Sequence, residues 1–293
     1  MAVQNPVAPK TVATLKEPLQ SRFAERLRQF PYWLLAIGLI IIVTFILITQ
    51  TPSFNEAFSI IQAGISVTLV TTLSAYSISL ILGLVTGLGR VSKNIASRNI
   101  ASFYVEVMRG IPMLVSIFFI ALVLVPGFVK FLSIFGNYLL SLGLDSIGNP
   151  LAVLQNRAIP MSLRAVSALS ITYGAYSAEI FRAGIQSVHS GQMEAARSQG
   201  MSHREAMWHV ILPQAIRNVL PALGNDFIAM LKDSSLVSIL GVRDITQVAR
   251  LYAGASFRFP EAYSTLSVMY LTMTLMLSML VKLIERRISN NGQ

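Results

Sequence analysis

Long apolar runs separated by short polar links set the pattern of this chain. WLLAIGLIIIVTFILIT (33–49), the uncharged run from Ala57 to Gly89, Gly110 to Val129 and Ala262 to Val281 each supply the roughly 20 mostly apolar residues that a helix needs to cross a hydrocarbon core. Two further stretches, about Pro160 to Arg182 and Ala215 to Gly241, are apolar text of helical length interrupted by Arg164, Glu179, Asp226, Lys232 and Asp233. The pattern predicts about six spanning helices. Ionisable groups within a span are costly unless they face protein or water, so the fourth and fifth spans are expected inside the bundle and the first at its periphery. One segment breaks the pattern: EAARSQGMSHREAMWHVILP, Glu194 to Pro213, is polar, charged and helical in character.

Composition agrees with a membrane chain. Hydrophobic residues make up 54% and charged residues only 12%, against about 25% charged in soluble domains, and the mean hydropathy is +0.62. The 293 residues would fill about two soluble domains but read better as one bundle of spanning helices. With no cysteine, disulfides, thiolate chemistry and cysteine metal sites are excluded.

The net charge of +10 raises the question of nucleic acid, and its distribution answers it. With the N-terminus inside, the inner segments collect Lys10, Lys16, Arg22, Arg26, Arg28, Arg90, Lys93, Arg98, Arg182, Arg197, Arg204, Arg217, Lys282, Arg286 and Arg287, fifteen of the 23 basic residues. The outer segments hold only Lys130, Arg157, Arg164, Arg243, Arg250 and Arg258. This is the signature of cytoplasmic loops, and it predicts both termini on the cytoplasmic side. No nucleic-acid partner is expected. About thirty polar residues precede the first apolar run and no small-residue cleavage site follows it, so that run is expected to stay as an anchor.

The polar segment has strong local punctuation. Ser190 to Gln199 predicts a short helix with Ser190 as a possible cap, and Gly200 stands where a left-handed residue would end it. Ser202 and Glu205 form the S-x-x-E capping-box pattern of a second helix. Pro213 is expected to interrupt the hydrogen-bond ladder just before the next span begins. The predicted product is two short helices across the inner mouth of the bundle. Glu194 and Arg197, three apart, are placed to pair with each other or with a partner. From the residues of this segment alone a solvated, well-capped loop stays open, and its helix-turn-helix arrangement also suggests nucleic acid, a partner that the charge distribution disfavours.

The spacing Glu194-Ala195-Ala196, Gly200, Val210, Leu212-Pro213 resembles the EAA loop of ABC importer permeases. The wider text GAYSAEIFRAGIQSVHSGQMEAARSQG and VILPQAIRNVLPALGNDFIAMLKDSSLVSILGV is similar to the polar amino acid permease subfamily, from about Ile65 to Arg287. The resemblance implies an all-α integral membrane protein with a type I ABC importer-like permease bundle. Met193, Glu194, Ala195, Ala196, Arg197 and Gly200 would form the coupling helix that docks on an ATPase. It further implies an ABC ATPase dimer that binds ATP and Mg, a second permease chain, identical or homologous, an extracytoplasmic solute-binding protein, an amino acid substrate and a place in the bacterial cytoplasmic (inner) membrane. The chain itself is expected to bind no cofactor and no metal and to catalyse nothing, and it has no G-x-x-x-x-G-K-[ST] phosphate loop.

The implied organisation is an N-terminal tail (1–32), an extra span with an outer loop (33–61), the permease domain (62–287) with its coupling loop at about 186–213, and a C-terminal tail (288–293). Similar permeases commonly have five core spans, so the first span is an addition without an assigned role. The stretch 126–157 is longer than expected and is read as a candidate outer amphipathic helix. For the transport path the candidates are Glu179, Asn225, Asp226, Lys232, Asp233 and Ser234, with Ser235 beside them, because they place both signs of charge in apolar helices. Glu106 with Arg109, and Glu179 with Arg182, could instead neutralise themselves at three-residue spacing. His189, His203 and His209 lack H-E-x-x-H spacing and sit in the polar segment, so an intramembrane enzyme is not suggested. A passive channel or receptor-like membrane protein is the alternative that polar inner helices also allow.

Overall fold

The computed structural model describes residues 32–290; the expected N-terminal tail up to residue 31 and residues 291–293 lie outside the described residues. The chain divides into two compact units, 1–43 and 44–293. The described part of the first is the opening of helix α1 (Tyr32–Gln50), which carries no charged residue. The second unit is helical, and no strand occurs among the described residues.

Helix α2 (Pro52–Ile61) passes through a 3-10 turn, Gln62–Gly64, into α3 (Ile65–Val91). Proline in the first turn of α2 has the fixed φ that a helix start requires. The uncharged run read as one span is therefore two helices joined without a gap. Asn94 caps α4 (Ile95–Gly110) by accepting from the Ala96 and Ser97 amides. Pro112 separates it from α5 (Met113–Phe119), which continues through a π turn, Ile120–Leu124, into α6 (Val125–Ser141). The first half of the stretch 126–157, expected as an outer amphipathic helix, is thus the continuation of an apolar helix, residues 126–141. The second half includes α7 (Asp145–Ala152), folded back on α6 so that the Ser133 hydroxyl donates to the Ala152 carbonyl at 2.9 Å.

Helix α8 (Met161–Ser187) is the axis of the bundle. Its buried positions are mostly small: Ala165, Ala168, Ser170, Thr172, Gly174, Ala175, Ser177, Ala178 and Gly184. The facing side of α3 buries Thr68, Thr72, Ala75, Ser79, Gly83 and Gly87. A Cβ on Gly83 would lie 2.5 Å from Ser177 Cβ, and one on Gly87 would lie 2.9 Å from Phe181 Cβ. Small residues on both sides let the two backbones approach, which is how helices associate where apolar burial alone gives little preference for protein over lipid. On its other side α3 exposes Val70, Leu73, Ile81 and Val85, an arrangement suited to hydrocarbon.

The chain then forms α9 (Ser190–Ser198), α10 (His203–Ala206), a π turn Met207–Ile211, α11 (Leu212–Asp233), a 3-10 stretch Ser234–Leu240, α12 (Ile245–Ser256) and α13 (Phe259–Asn290). Among the described residues three stretches are long and apolar enough to cross a bilayer: Pro52–Val91, Met113–Ser141 and Phe259–Glu285. Helices α8 and α11 have 27 and 22 residues, and their interior charges, expected from the sequence, set them apart from lipid-facing text.

Two π turns share one cause. Each ends two residues before a proline, Pro126 in one case and Pro213 in the other. Proline lacks an amide hydrogen and crowds the carbonyl four residues back, and widening the preceding turn to i→i+5 bonding relieves both. The Leu212 amide accordingly donates to the Met207 carbonyl. Pro213 therefore interrupts the i→i+4 ladder, as its position predicted, without ending the helix. The second helix of the polar segment is not short; it runs on from His203 to Asp233.

Candidate functional site

The polar segment is built by local rules. Helix α9 is capped by the His189 ring, whose Nδ1 accepts from the Gly191 amide at 3.1 Å, rather than by Ser190. It ends in a six-residue motif: the Gly200 amide donates to the Arg197 carbonyl at 3.0 Å and the Met201 amide to the Ala196 carbonyl at 3.2 Å. Gly200 has φ +91, a left-handed conformation that suits glycine. Ser202 and Glu205 then form the expected reciprocal capping box, with the Ser202 amide donating to Glu205 at 2.7 Å. That backbone bond, with help from the Ser202 hydroxyl, holds the Glu205 carboxyl below the usual carboxylate range.

This geometry fixes which face of α9 is free. Met193 packs on the cluster of Ile185, Ile211 and Ala215, and Ala196 is buried. Glu194, Ala195, Arg197 and Gly200 are exposed. Of the two alanines, one therefore seats the helix on its own bundle and the other is available to a partner. Among the described residues Glu194 and Arg197 form no ion pair, so the clip allowed by their spacing is not made.

Beside this segment lies an ionic network. Arg90, at the end of α3, donates to Glu179 of α8 at 2.6 Å and to Glu106 of α4 at 3.2 Å. Glu179 also pairs with Arg182, as its spacing predicted. Glu106 does not pair with Arg109; the Arg109 guanidinium instead lies over the Tyr176 ring, 5.8 Å from its centroid. A cross-helix partner wins here because Arg90 sits between two carboxylates, whereas three-residue pairs on one helix are worth only about 0.2–0.5 kcal/mol. Glu179 is thus held by two guanidinium groups.

Farther along the bundle, α11 presents its charges on two faces. Asp226 accepts from the Ser177 hydroxyl at 3.2 Å, and Asp233 accepts from the Tyr173 hydroxyl at 2.7 Å. The donors are four residues apart on α8 and the acceptors seven apart on α11, so each pair lies along one side of its helix. Among the described residues neither carboxylate has a basic partner. Asn225 and Lys232 are exposed on the adjoining face. Ser234 is buried and turned back to the Leu231 carbonyl at 2.7 Å. The structure therefore brings together Asp226 and Asp233, and separates them from Asn225 and Lys232, from Ser234 and from the Glu179 network.

Sequence reasoning passed over Tyr173 and Ser177, although their i, i+4 spacing in an inner helix was a usable signal. It read Arg90 only as a topology marker. Tyr76 also went unnoticed; its hydroxyl donates to the Leu223 carbonyl at 2.5 Å and its ring stacks on Phe227 with centroids 4.6 Å apart.

Comparison with known proteins decides the family. Residues 79–290 match the family described as "binding-protein-dependent transport system inner membrane component". The chain belongs to that family. It is 32% identical over 231 residues to the glutamine transport system permease protein GlnP of Escherichia coli (strain K12), covering 79% of this chain and 94% of GlnP. It is 33% identical over 241 residues to the L-cystine transport system permease protein TcyB of Bacillus subtilis (strain 168), covering 78% and 86%. A crystal structure of an amino acid ABC transporter with histidines contains a chain 39% identical, superposing with a TM-score of 0.61 over 82% of this chain and 96% of that one. The chain is an integral membrane permease subunit of the importer type, and the EAA spacing falls within the matched region.

Proposed function

We propose that this permease subunit forms half of the translocation path of an ATP-driven importer for polar amino acids in the bacterial cytoplasmic membrane, with both termini on the cytoplasmic side and about six spans. Its partners in this reading are an ABC ATPase dimer that binds ATP and Mg, a second permease chain, identical or homologous, and an extracytoplasmic solute-binding protein. Relatives named for glutamine and for L-cystine stand at nearly equal identity, 32% and 33%, which supports the amino acid class and singles out no member of it.

The observation that carries the reading is the helical rod from His203 to Asp233. At one end it starts three residues after the exposed face of α9; at the other it bears Asp226 and Asp233. The rod is unbroken, rising about 1.5 Å per residue, with a π turn and Pro221 within it, and in this reading it carries a displacement of Met193 to Gly200 by the ATPase to the carboxylates. Arg90 and Glu179 tie α3 to α8 beside the rod and serve as a brace in this scheme rather than as a substrate contact. Asp226 and Asp233, facing hydroxyls and lacking a cation among the described residues, are the groups that would receive a substrate ammonium; Asn225 and Lys232, exposed on the adjoining face of α11, and the buried Ser234 stay outside that contact.

The test is reconstitution of the permease in vesicles with its ATPase and binding protein, followed by uptake of labelled amino acids. ATP-dependent uptake that also requires the binding protein supports the importer. Downhill flux by the permease alone, unaffected by ATP, would support the passive channel instead.

A further inference from the structure

A concavity of about 290 Å³ lies where the end of α3 meets the π turn before α11, outside both the coupling face and the polar path. Its lining joins two kinds of chemistry. Leu88, Val91 and Met207 are partly buried and apolar, and they adjoin the cluster under α9. Lys93, His203, Arg204 and Trp208 are exposed around them, with Ser92 between. Among the described residues neither Lys93 nor Arg204 makes an ion pair. The neighbouring carboxylate, Glu205, is turned to the Ser202 amide at 2.7 Å and occupied in its capping box.

The concavity also continues a stripe. Ile81, Val85 and Leu88 recur at helical spacing on one face of α3, Ser92 caps its end, and Ile81 and Val85 are 66% and 65% exposed. The apolar surface that faces hydrocarbon thus ends in a basic, tryptophan-edged hollow. Tryptophan prefers the membrane interface, and basic hollows between helices on the side with excess positive charge suit anionic headgroups. A free phosphate has no use for the Leu88 and Val91 floor, and a protein partner has no use for its continuity with Val85 and Ile81.

We propose that this hollow holds the headgroup and first acyl carbons of an anionic phospholipid, bridging the end of α3 to the start of the rod that leaves the coupling segment. The lipid would steady His203 to Met207 as the coupling segment moves. The inference rests on the membrane embedding of the chain and is independent of which solute it carries.

The chain has two tryptophans, Trp33 and Trp208, so Trp33→Phe leaves a single reporter at the hollow. The full chain is placed in vesicles of phosphatidylcholine with a fixed fraction of phosphatidylglycerol, and either lipid is supplied brominated on its acyl chains. The expected result is stronger quenching of Trp208 by brominated phosphatidylglycerol than by brominated phosphatidylcholine at equal mole fraction. The preference should fall about fivefold for each basic group removed in Lys93→Gln and Arg204→Gln, and persist in Lys93→Arg. Millimolar inorganic phosphate should leave it unchanged.

Equal quenching by the two lipids would overturn the proposal. So would displacement by inorganic phosphate, which would mark a phosphate site without a lipid, or complete loss of lipid quenching on adding the ATPase, which would mark a protein contact.

Discussion

Replacing Gly200 by valine probes the turn that sets the free face of α9. The residue has φ +91, and a side chain there would meet no atom within 4 Å, so the penalty is backbone strain rather than collision. A non-glycine residue held in the left-handed region costs about 1–3 kcal/mol, with a β-branched residue at the upper end. That range weakens the turn about 5–150-fold, and the two bonds from the Gly200 and Met201 amides to the Arg197 and Ala196 carbonyls go with it. Asparagine tolerates this conformation far better. Solute uptake and binding-protein-stimulated ATP hydrolysis, measured in the reconstituted complex and normalised to permease content, should therefore fall in the order Gly200, Gly200→Asn, Gly200→Ala, Gly200→Val. The valine variant should lose roughly tenfold or more in uptake while remaining inserted. Full coupling in Gly200→Val with intact assembly, or equal losses for Asn and Val, would refute the reasoning.

Three further outcomes follow from the geometry. Because the chain has no cysteine, Ser198→Cys should react with impermeant thiol reagents only from the cytoplasmic side and Asn149→Cys only from the other; the reverse pattern would overturn the proposed orientation. Asp226→Asn and Asp233→Asn should impair uptake of cationic amino acids more than neutral ones at equal membrane content, whereas Tyr173→Phe should have a milder effect; equal losses for every substrate would make these carboxylates structural ties. Gly83→Val pushes a branched side chain toward Ser177 across the seam of α3 and α8 and should destabilise the bundle by about 1–3 kcal/mol, read as a lower aggregation temperature. Gly127→Val, which meets no neighbour within 4 Å, should not show that packing loss, and equal effects would argue against a tight seam.

What the sequence determined alone was whatever local chemistry could settle. The apolar runs marked the helices, since a bilayer demands length and low polarity within one segment. Gly200 and the Ser202–Glu205 box were legible because a left-handed turn and a capping box are each complete within about six residues. The EAA spacing marked the family through the same short segment.

Tertiary structure decided the rest, because side-chain partners depend on how far each helix is rotated against its neighbour. The seam of small residues between α3 and α8 sets that rotation, and with it the choice of Arg90 rather than Arg109 as the partner of Glu106. The packing of α8 on α11, with Gly184 against Val219, faces Tyr173 and Ser177 to Asp233 and Asp226. The burial of Ala196 beside an exposed Ala195 follows from the seat of α9 on Ile185, Ile211 and Ala215. Pro213 shows the limit most clearly: the proline by itself predicts an interrupted ladder, and the π turn is that interruption, but only the structure shows that the helix continues past it. A packed bundle holds that turn in place through contacts distant in sequence, and those contacts are not written in the neighbourhood of the proline.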